Sequence, residues 1–182
     1  MKVRTRVGAV LTTALLGVVG AVALASPASA ASYGPYELKH GRSGLCLEAP
    51  TSNLNQQLIL NYCGGPASHN EHFIFDDSGT GAYQYFVRLE GTSYCLVPGN
   101  ADLFGSTVVL WPCDYGSYRF VWYLGFPSEV DHSLRNLMNM YTAQRNVPAS
   151  GWCIDSVNSN AGVYVTMRGC YGDGFWWLTP KS

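Results

Sequence analysis

The chain has 182 residues, with 11 basic and 12 acidic side chains and a formal net charge of −1 at pH 7. Only 13% of the residues are charged, and no basic run follows the first six residues. Nucleic acid and anionic membrane surfaces are therefore poor candidates for partners, since both recruit clustered Lys and Arg.

Residues 1–30 show the features of a secretory signal peptide. Three basic residues lie within the first six, an apolar run covers about residues 7–24, and Ala28 and Ala30 stand where a cleavage site requires small residues. The alternative is a membrane anchor, because roughly 18 apolar residues can just span a bilayer. Small residues dominate the run and a cleavage motif follows it, so we expect export. The mature chain, residues 31–182, is then secreted and free of the membrane.

All six cysteines lie in this mature region, in three pairs of similar spacing: Cys46 and Cys63, Cys95 and Cys113, and Cys153 and Cys170. An even number of cysteines in an oxidising compartment indicates disulfides. The second cysteine follows the first by 17 or 18 positions in each pair, and the pairs recur about every fifty residues. This repetition predicts one disulfide within each repeat.

The same succession of elements surrounds each cysteine pair. A strand-like run precedes the pair, Leu or Ile follows its first cysteine, and a turn-rich loop leads into an alternating strand before its second. An aromatic run then follows at residues 73–75, 120–122 and 175–177. The pattern predicts four short strands per repeat, about twelve in all. In the alternating strands one face is consistently apolar and is expected to face the core: Leu58, Leu60, Val108, Leu110, Val165 and Met167.

Three such units are expected to close on one another, because a four-stranded unit of about fifty residues cannot bury its strand face and its aromatic run alone. The predicted fold is an all-β β-trefoil with repeats at about residues 33–80, 81–127 and 128–182. A β-sandwich also uses short strands but does not explain the threefold recurrence. The third repeat includes a longer segment over residues 127–150, to which we assign no function.

The three Cys-Leu/Ile, Cys and aromatic units resemble the ricin B-chain-type β-trefoil lectins over essentially all of residues 33–182. That family closes each unit with Gln-x-Trp. The corresponding triplets are taken here as Glu71-His72-Phe73, Tyr118-Arg119-Phe120 and Asp173-Gly174-Phe175, which keep an aromatic residue and lack the Gln. The resemblance implies shallow sugar sites, one on each repeat, for galactose-type sugars or a polysaccharide.

In such a site, the resemblance implies three functions: an acid two positions after the first cysteine, an aromatic platform two positions before the second, and an Asn before the triplet. No repeat has all three: the first has Asn61 at the platform, the second has Val97 at the acid position, and the third has Arg168 at the platform. We rank the third repeat first, because a polar loop and Tyr164 lie beside Asp155, and the first repeat second. The candidate ligand-binding residues, by repeat, are Glu48, Asn61 and Asn70; Trp111; and Asp155, Asn158, Tyr164 and Arg168.

Catalysis finds little support in the sequence. Asp76 and Asp77 are adjacent, so we interpret them as part of a turn with Ser78 and Gly79 rather than as a catalytic pair. The His-Asn-Glu-His run at residues 69–72 lacks a third ligand at a recognisable spacing. We therefore expect no enzyme, no metal and no cofactor.

Two functions remain from these observations. The first is a secreted, non-catalytic carbohydrate-binding protein. The second is a trefoil that has lost sugar binding and contacts a protein, as an interaction module or an inhibitor. The absence of the Gln from each triplet and the incomplete sugar sites favour the second function. The expected exposure of Trp111, Tyr115 and Tyr118 also favours it.

Overall fold

The computed structural model describes residues 31–65, 68–100, 104–127, 134–141, 152–170 and 174–181. The predicted signal peptide and most of the 127–150 segment lie outside these ranges. The described chain confirms an all-β fold with twelve strands: β1 (Ser32–His40), β2 (Cys46–Glu48), β3 (Ile59–Asn61), β4 (His72–Asp77), β5 (Gln84–Leu89), β6 (Tyr94–Pro98), β7 (Val108–Pro112), β8 (Val121–Pro127), β9 (Leu134–Asn139), β10 (Trp152–Ser156), β11 (Val165–Gly169) and β12 (Phe175–Pro180). Single 3₁₀ turns precede β4 and β8, at Ser68–Glu71 and Tyr118–Phe120. None of the described residues forms a helix with the length and apolarity needed to cross a bilayer.

Six strands form a closed barrel. In order around the ring they are β1, β4, β5, β8, β9 and β12, and each neighbouring pair is antiparallel, including β12 with β1. Closure leaves these strands without a free edge, which is the usual way for an antiparallel sheet to avoid exposing unpaired backbone groups.

The other six strands form three hairpins, β2–β3, β6–β7 and β10–β11, which cap one end of the barrel. Each hairpin bonds to the other two through the backbone. The Leu58 amide donates to the Val108 carbonyl at 2.9 Å, the Leu60 amide to Val163 at 2.9 Å, and the Met167 amide to Ser106 at 2.8 Å. The hairpins are therefore held as one triangular cap, and their outer faces are fixed relative to one another.

The alternation read from the sequence is confirmed in the cap. All six residues expected to face the core are fully buried: Leu58, Leu60, Val108, Leu110, Val165 and Met167. They pack in one cluster with Leu47, Leu96 and Ile154 from the opposite strands of the same hairpins. Because successive side chains alternate between faces, the residues between them point away from this core.

The three predicted disulfides are also confirmed. Cys46 is bonded to Cys63, Cys95 to Cys113 and Cys153 to Cys170, with Cα atoms 5.0–5.1 Å apart. Each bond ties the first strand of a hairpin to the chain just after its second strand. No cysteine of the chain is left free.

Replacing Cys95 and Cys113 together with Ala should lower the free energy of unfolding by about 3 kcal/mol, because the closed loop of 18 positions no longer restricts the unfolded chain. Urea unfolding followed by circular dichroism measures this change. The wild-type protein, oxidised and purified in parallel, is the reference. A loss below about 1 kcal/mol would contradict this account and show that the disulfide restricts the unfolded chain very little.

The strand register corrects the predicted closing triplets. Each hairpin joins the barrel through one pairing of its first cysteine, with Lys39, Arg88 or Met138. The residue after each of these is paired with an aromatic residue of the neighbouring barrel strand: His40 with Trp176, Leu89 with Phe73, and Asn139 with Trp122. The equivalent aromatic residues are thus Phe73, Trp122 and Trp176. The assignment of Phe120 and Phe175 to this position was wrong, and Trp is kept in two of the three repeats.

Both tryptophans perform the same structural task. The Trp122 indole N–H donates to the Leu96 carbonyl at 2.9 Å, and the Trp176 indole N–H donates to the Ile154 carbonyl at 3.1 Å. Trp122 is 0% exposed and Trp176 is 1% exposed. Each indole therefore fastens a barrel strand to the hairpin of its own repeat, a bond that Phe73 cannot make.

The turn predicted around Asp76 and Asp77 is only half correct. The Asp77 carboxylate accepts from the Gly79 amide at 2.9 Å and does shape the turn. Asp76 is buried in β4 and pairs with Arg88, whose Nε lies 2.8 Å from Asp76 Oδ2. Successive strand residues point to opposite faces, so the two carboxylates serve different parts of the structure.

Candidate functional site

The outer faces of the three hairpins are the candidate sites. Directly opposed residues in an antiparallel pair share a face, as do residues two apart on one strand. The register therefore places the three predicted sets on equivalent outward faces: Glu48, Ile59 and Asn61; Val97, Val109 and Trp111; and Asp155, Thr166 and Arg168.

In the first repeat, the predicted ligand groups satisfy each other. The Asn61 amide donates from Nδ2 to Glu48 Oε2 at 2.6 Å, while its Oδ1 accepts from the Tyr62 amide at 2.9 Å. Glu48 is only 5% exposed. Asn70 lies in the adjacent 3₁₀ turn, where its carbonyl accepts from the Ala49 amide at 3.0 Å. The three residues are brought together, but a sugar would have to replace bonds already made.

Sequence reasoning missed an aromatic residue and an acid beside this set. Tyr62, which follows Asn61, is 71% exposed, more than any other large hydrophobic residue of the described chain. Glu71 stands where the family has Gln and is 1% exposed. Its Oε2 accepts from the Gly64 amide at 2.9 Å, while its Oε1 has no hydrogen-bond partner among the described residues. Glu71 thus holds the loop that follows the first disulfide.

In the third repeat, the key carboxylate is already engaged. Asp155 Oδ1 accepts from the Ser156 amide at 2.7 Å and lies 3.2 Å from His40 Nε2. His40 is 1% exposed, and its Nδ1 lies 2.9 Å from Ser43 Oγ. The Asp155 side chain is 16% exposed. It therefore links the third repeat to β1, in addition to any contact with a ligand.

The remaining third-repeat candidates are spread over a wider surface. Asn158 is exposed, and its side chain accepts from the Asn160 amide at 3.0 Å within the polar loop. Tyr164 is 52% exposed. The guanidinium of Arg168 lies 5.6 Å from the ring centre of Phe104, a residue of the second repeat. Arg168 is thus stacked on a neighbouring hairpin loop rather than open as a sugar platform.

The second repeat forms a cleft that the sequence did not predict. It has a volume of about 480 Å³. Trp111, which lines the cleft, is 44% exposed. Val97 and Val109, which also line it, are buried. The cleft is lined by Asn55, Val97, Gly99, Val109, Trp111, Pro112, Asp114, Ser117, Arg119 and Phe120. An exposed indole, an apolar floor and a rim of polar side chains are therefore combined in one hollow.

Two polar residues of this cleft are fixed by local structure. The Asp114 side chain accepts from the Gly116 amide at 3.1 Å, and its carbonyl accepts from the Ser117 amide at 3.1 Å, which makes a tight turn after Cys113. Ser117 caps the 3₁₀ turn by accepting from the Arg119 amide at 3.4 Å. With Trp122 as the closing aromatic, Arg119 occupies the position that Asn70 holds in the first repeat. The triplet predicted from the sequence ends at Phe120 and therefore does not reveal this equivalence.

Comparison with known proteins identifies the fold. No protein-family model matches the chain, and no curated protein sequence matches it. Among solved structures, the designed threefold symmetric protein ThreeFoil has a TM-score of 0.68 at 19% identity, over 82% of this chain and 100% of its own. The ricin B-like lectin of Macrolepiota procera, solved with lactose, has a TM-score of 0.64 at 12% identity, over 86% and 99%.

The C-half of the earthworm R-type lectin, solved with GalNAc, has a TM-score of 0.58 at 12% identity, over 82% of this chain and 100% of its own. At such low identities the likeness establishes the fold alone. Together with the closed barrel, the triangular cap and the three hairpin disulfides, it shows that the chain has a β-trefoil fold similar to that of these lectins.

Proposed function

We propose that the mature chain is a secreted, non-catalytic carbohydrate-binding protein and that the second-repeat cleft is its principal site. The observation that carries this proposal is the exposed Trp111 beside a cleft of about 480 Å³. A flat indole suits the apolar C–H face of a sugar ring. The volume lies within the range of small-ligand pockets, roughly 300–1,000 Å³. The three disulfides agree with export through the predicted signal peptide.

The other two repeats are weaker candidates because their carboxylates are occupied. A sugar hydroxyl at Glu48 competes with Asn61, and one at Asp155 competes with His40 and the Ser156 amide. A hydrogen bond exchanged in this way contributes little, since even a typical new bond nets only about 0.5–1.5 kcal/mol. We therefore place these sites second and retain their predicted residues as secondary contacts.

A glycan array probed with the oxidised mature protein tests this function. The lactose and GalNAc present in the similar lectins make galactose-type sugars the first class to examine. We expect binding that survives both Glu48→Ala and Asp155→Ala, because neither residue lines the second-repeat cleft. Circular dichroism of each variant verifies that the fold is intact. Binding lost only in Asp155→Ala would move the site to the third repeat, and binding lost only in Glu48→Ala would move it to the first.

A protein-binding function is the second candidate, favoured by one surface. Trp111, Tyr115 and Tyr118 are 44%, 58% and 44% exposed on neighbouring parts of the second repeat. Exposed Trp and Tyr are enriched where proteins bind one another. An array with no glycan signal at high protein concentration, together with a partner protein whose capture is lost in Trp111→Ala, would favour this candidate.

A further inference from the structure

Of the two charged residues that line the second-repeat cleft, Asp114 and Arg119, the less exposed is Arg119. Its Nη2 donates to the carbonyls of Pro98 and Gly99, both at 2.9 Å, so the guanidinium is fixed to the end of β6. The side chain is half-buried and lines the same cleft as Trp111. These two bonds use the donors of one nitrogen and leave those of Nη1 and Nε.

The described residues supply Arg119 with no carboxylate partner, and its buried Nε has no hydrogen-bond partner among them. Arg88 shows the contrasting case. It forms two bonds to Asp76, at 2.8 and 3.3 Å, and this carboxylate raises the pKa of Arg88 above its ordinary value. A half-buried guanidinium without a counter-charge is costly, so the cleft favours a ligand that brings one.

The floor of the cleft points to the same ligand chemistry. The first and third repeats have Glu48 and Asp155 at the position where the second has Val97. Val97 offers no acceptor for a sugar hydroxyl, and it places no negative charge beneath the ligand. The acid that lines the cleft, Asp114, is exposed. Its repulsion of an anion is weakened by water and salt.

We infer that the second-repeat cleft selects an anionic saccharide, one that bears a carboxylate or a sulfate group. The ring lies against Trp111, and the anionic group accepts hydrogen bonds from Arg119. Such charge-assisted bonds are roughly twice as strong as neutral ones. This inference rests on the proposed function, because it names the class of sugar for that same cleft.

The direct test is calorimetric titration of the oxidised mature protein with trigalacturonate and with its methyl ester, which keeps the rings and removes the charge. We expect the acid to bind at least about tenfold more tightly at low salt. Arg119→Gln should remove this preference, so that the acid and the ester bind with similar affinity, whereas Arg119→Lys should retain part of it. Galactose 6-sulfate and galactose form the corresponding pair for a sulfate group. The pair with the larger difference in affinity shows which anion the cleft prefers.

The control for overall charge is Lys181→Gln, which removes a cation that pairs with Glu90 and does not line the cleft. It should leave the preference intact. Equal affinity of the wild-type protein for both members of each sugar pair would overturn the inference while leaving a neutral-sugar site in place. That comparison needs no variant, so it decides the matter even if Arg119→Gln misfolds. A glycan array without any signal would instead overturn the proposed function itself.

Discussion

Replacing Trp122 with Ala should lower the free energy of unfolding by about 3–5 kcal/mol, the range for deleting a large aromatic side chain from a core. Trp122 is fully buried in β8 and packs in the main hydrophobic cluster. The substitution also leaves the Leu96 carbonyl without its 2.9 Å hydrogen bond from the indole. A buried acceptor without a partner adds a cost of about 1–3 kcal/mol, which places the expected loss toward the upper end.

Urea unfolding monitored by circular dichroism measures this loss. Trp122→Phe separates the two contributions, because Phe73 fills the equivalent position in the first repeat and shows that a phenyl ring is accommodated there. Phe should restore most of the packing but not the hydrogen bond. A cost below about 1 kcal/mol for Trp122→Ala would contradict the role of the indole as the link between barrel and hairpin.

The parts of the fold that the sequence predicts correctly are those that depend on local pattern. The hairpin alternation needs only a period of two, and it places Leu58 and Leu60 in the core as observed. The disulfide pairing follows from the repeated spacing, which the three hairpins preserve. In both cases the residues that carry the signal lie within one hairpin.

The closing aromatic residue could not be placed in the same way. Phe73, Trp122 and Trp176 follow the preceding cysteine by 10, 9 and 6 positions, because the connecting loops differ in length. Each aromatic run also offers more than one candidate ring. Only the pairing of β4, β8 and β12 with their barrel neighbours fixes the register, and that pairing is a long-range property.

The local sequence pattern also cannot predict which side chains already engage the candidate ligand-binding groups. Asp155 and His40 are 115 positions apart in the chain, yet their side chains meet. The sequence identifies a carboxylate at the expected position but does not reveal that another repeat already engages it. The cleft is hidden for a similar reason, since Asn55 reaches it from the first repeat and Arg119 from beyond the second disulfide. In the second and third repeats, a neighbouring repeat therefore contributes to the site.

Trp111→Ala should weaken binding of the strongest array glycan by at least about 30-fold, the effect of losing a binding hot spot. The indole supplies the flat apolar surface of the cleft, and Ala offers no comparable contact to a sugar ring. Trp111→Phe should retain part of the affinity because it keeps a smaller ring. Calorimetric titration measures both variants, and Tyr83→Ala, which removes an exposed aromatic residue outside the cleft, serves as the control.

The free energy of unfolding of Trp111→Ala shows whether the variant loses affinity because the binding surface is gone or because the protein unfolds. Trp111 is 44% exposed, so its replacement by Ala should lower the free energy of unfolding by only about 1 kcal/mol, the typical loss for a point substitution. The same substitution at residue 122 should strongly destabilise the trefoil, whereas at residue 111 it should weaken sugar binding and leave the fold intact. Wild-type affinity in Trp111→Ala would assign sugar binding to another repeat and leave this indole available for contact with a protein.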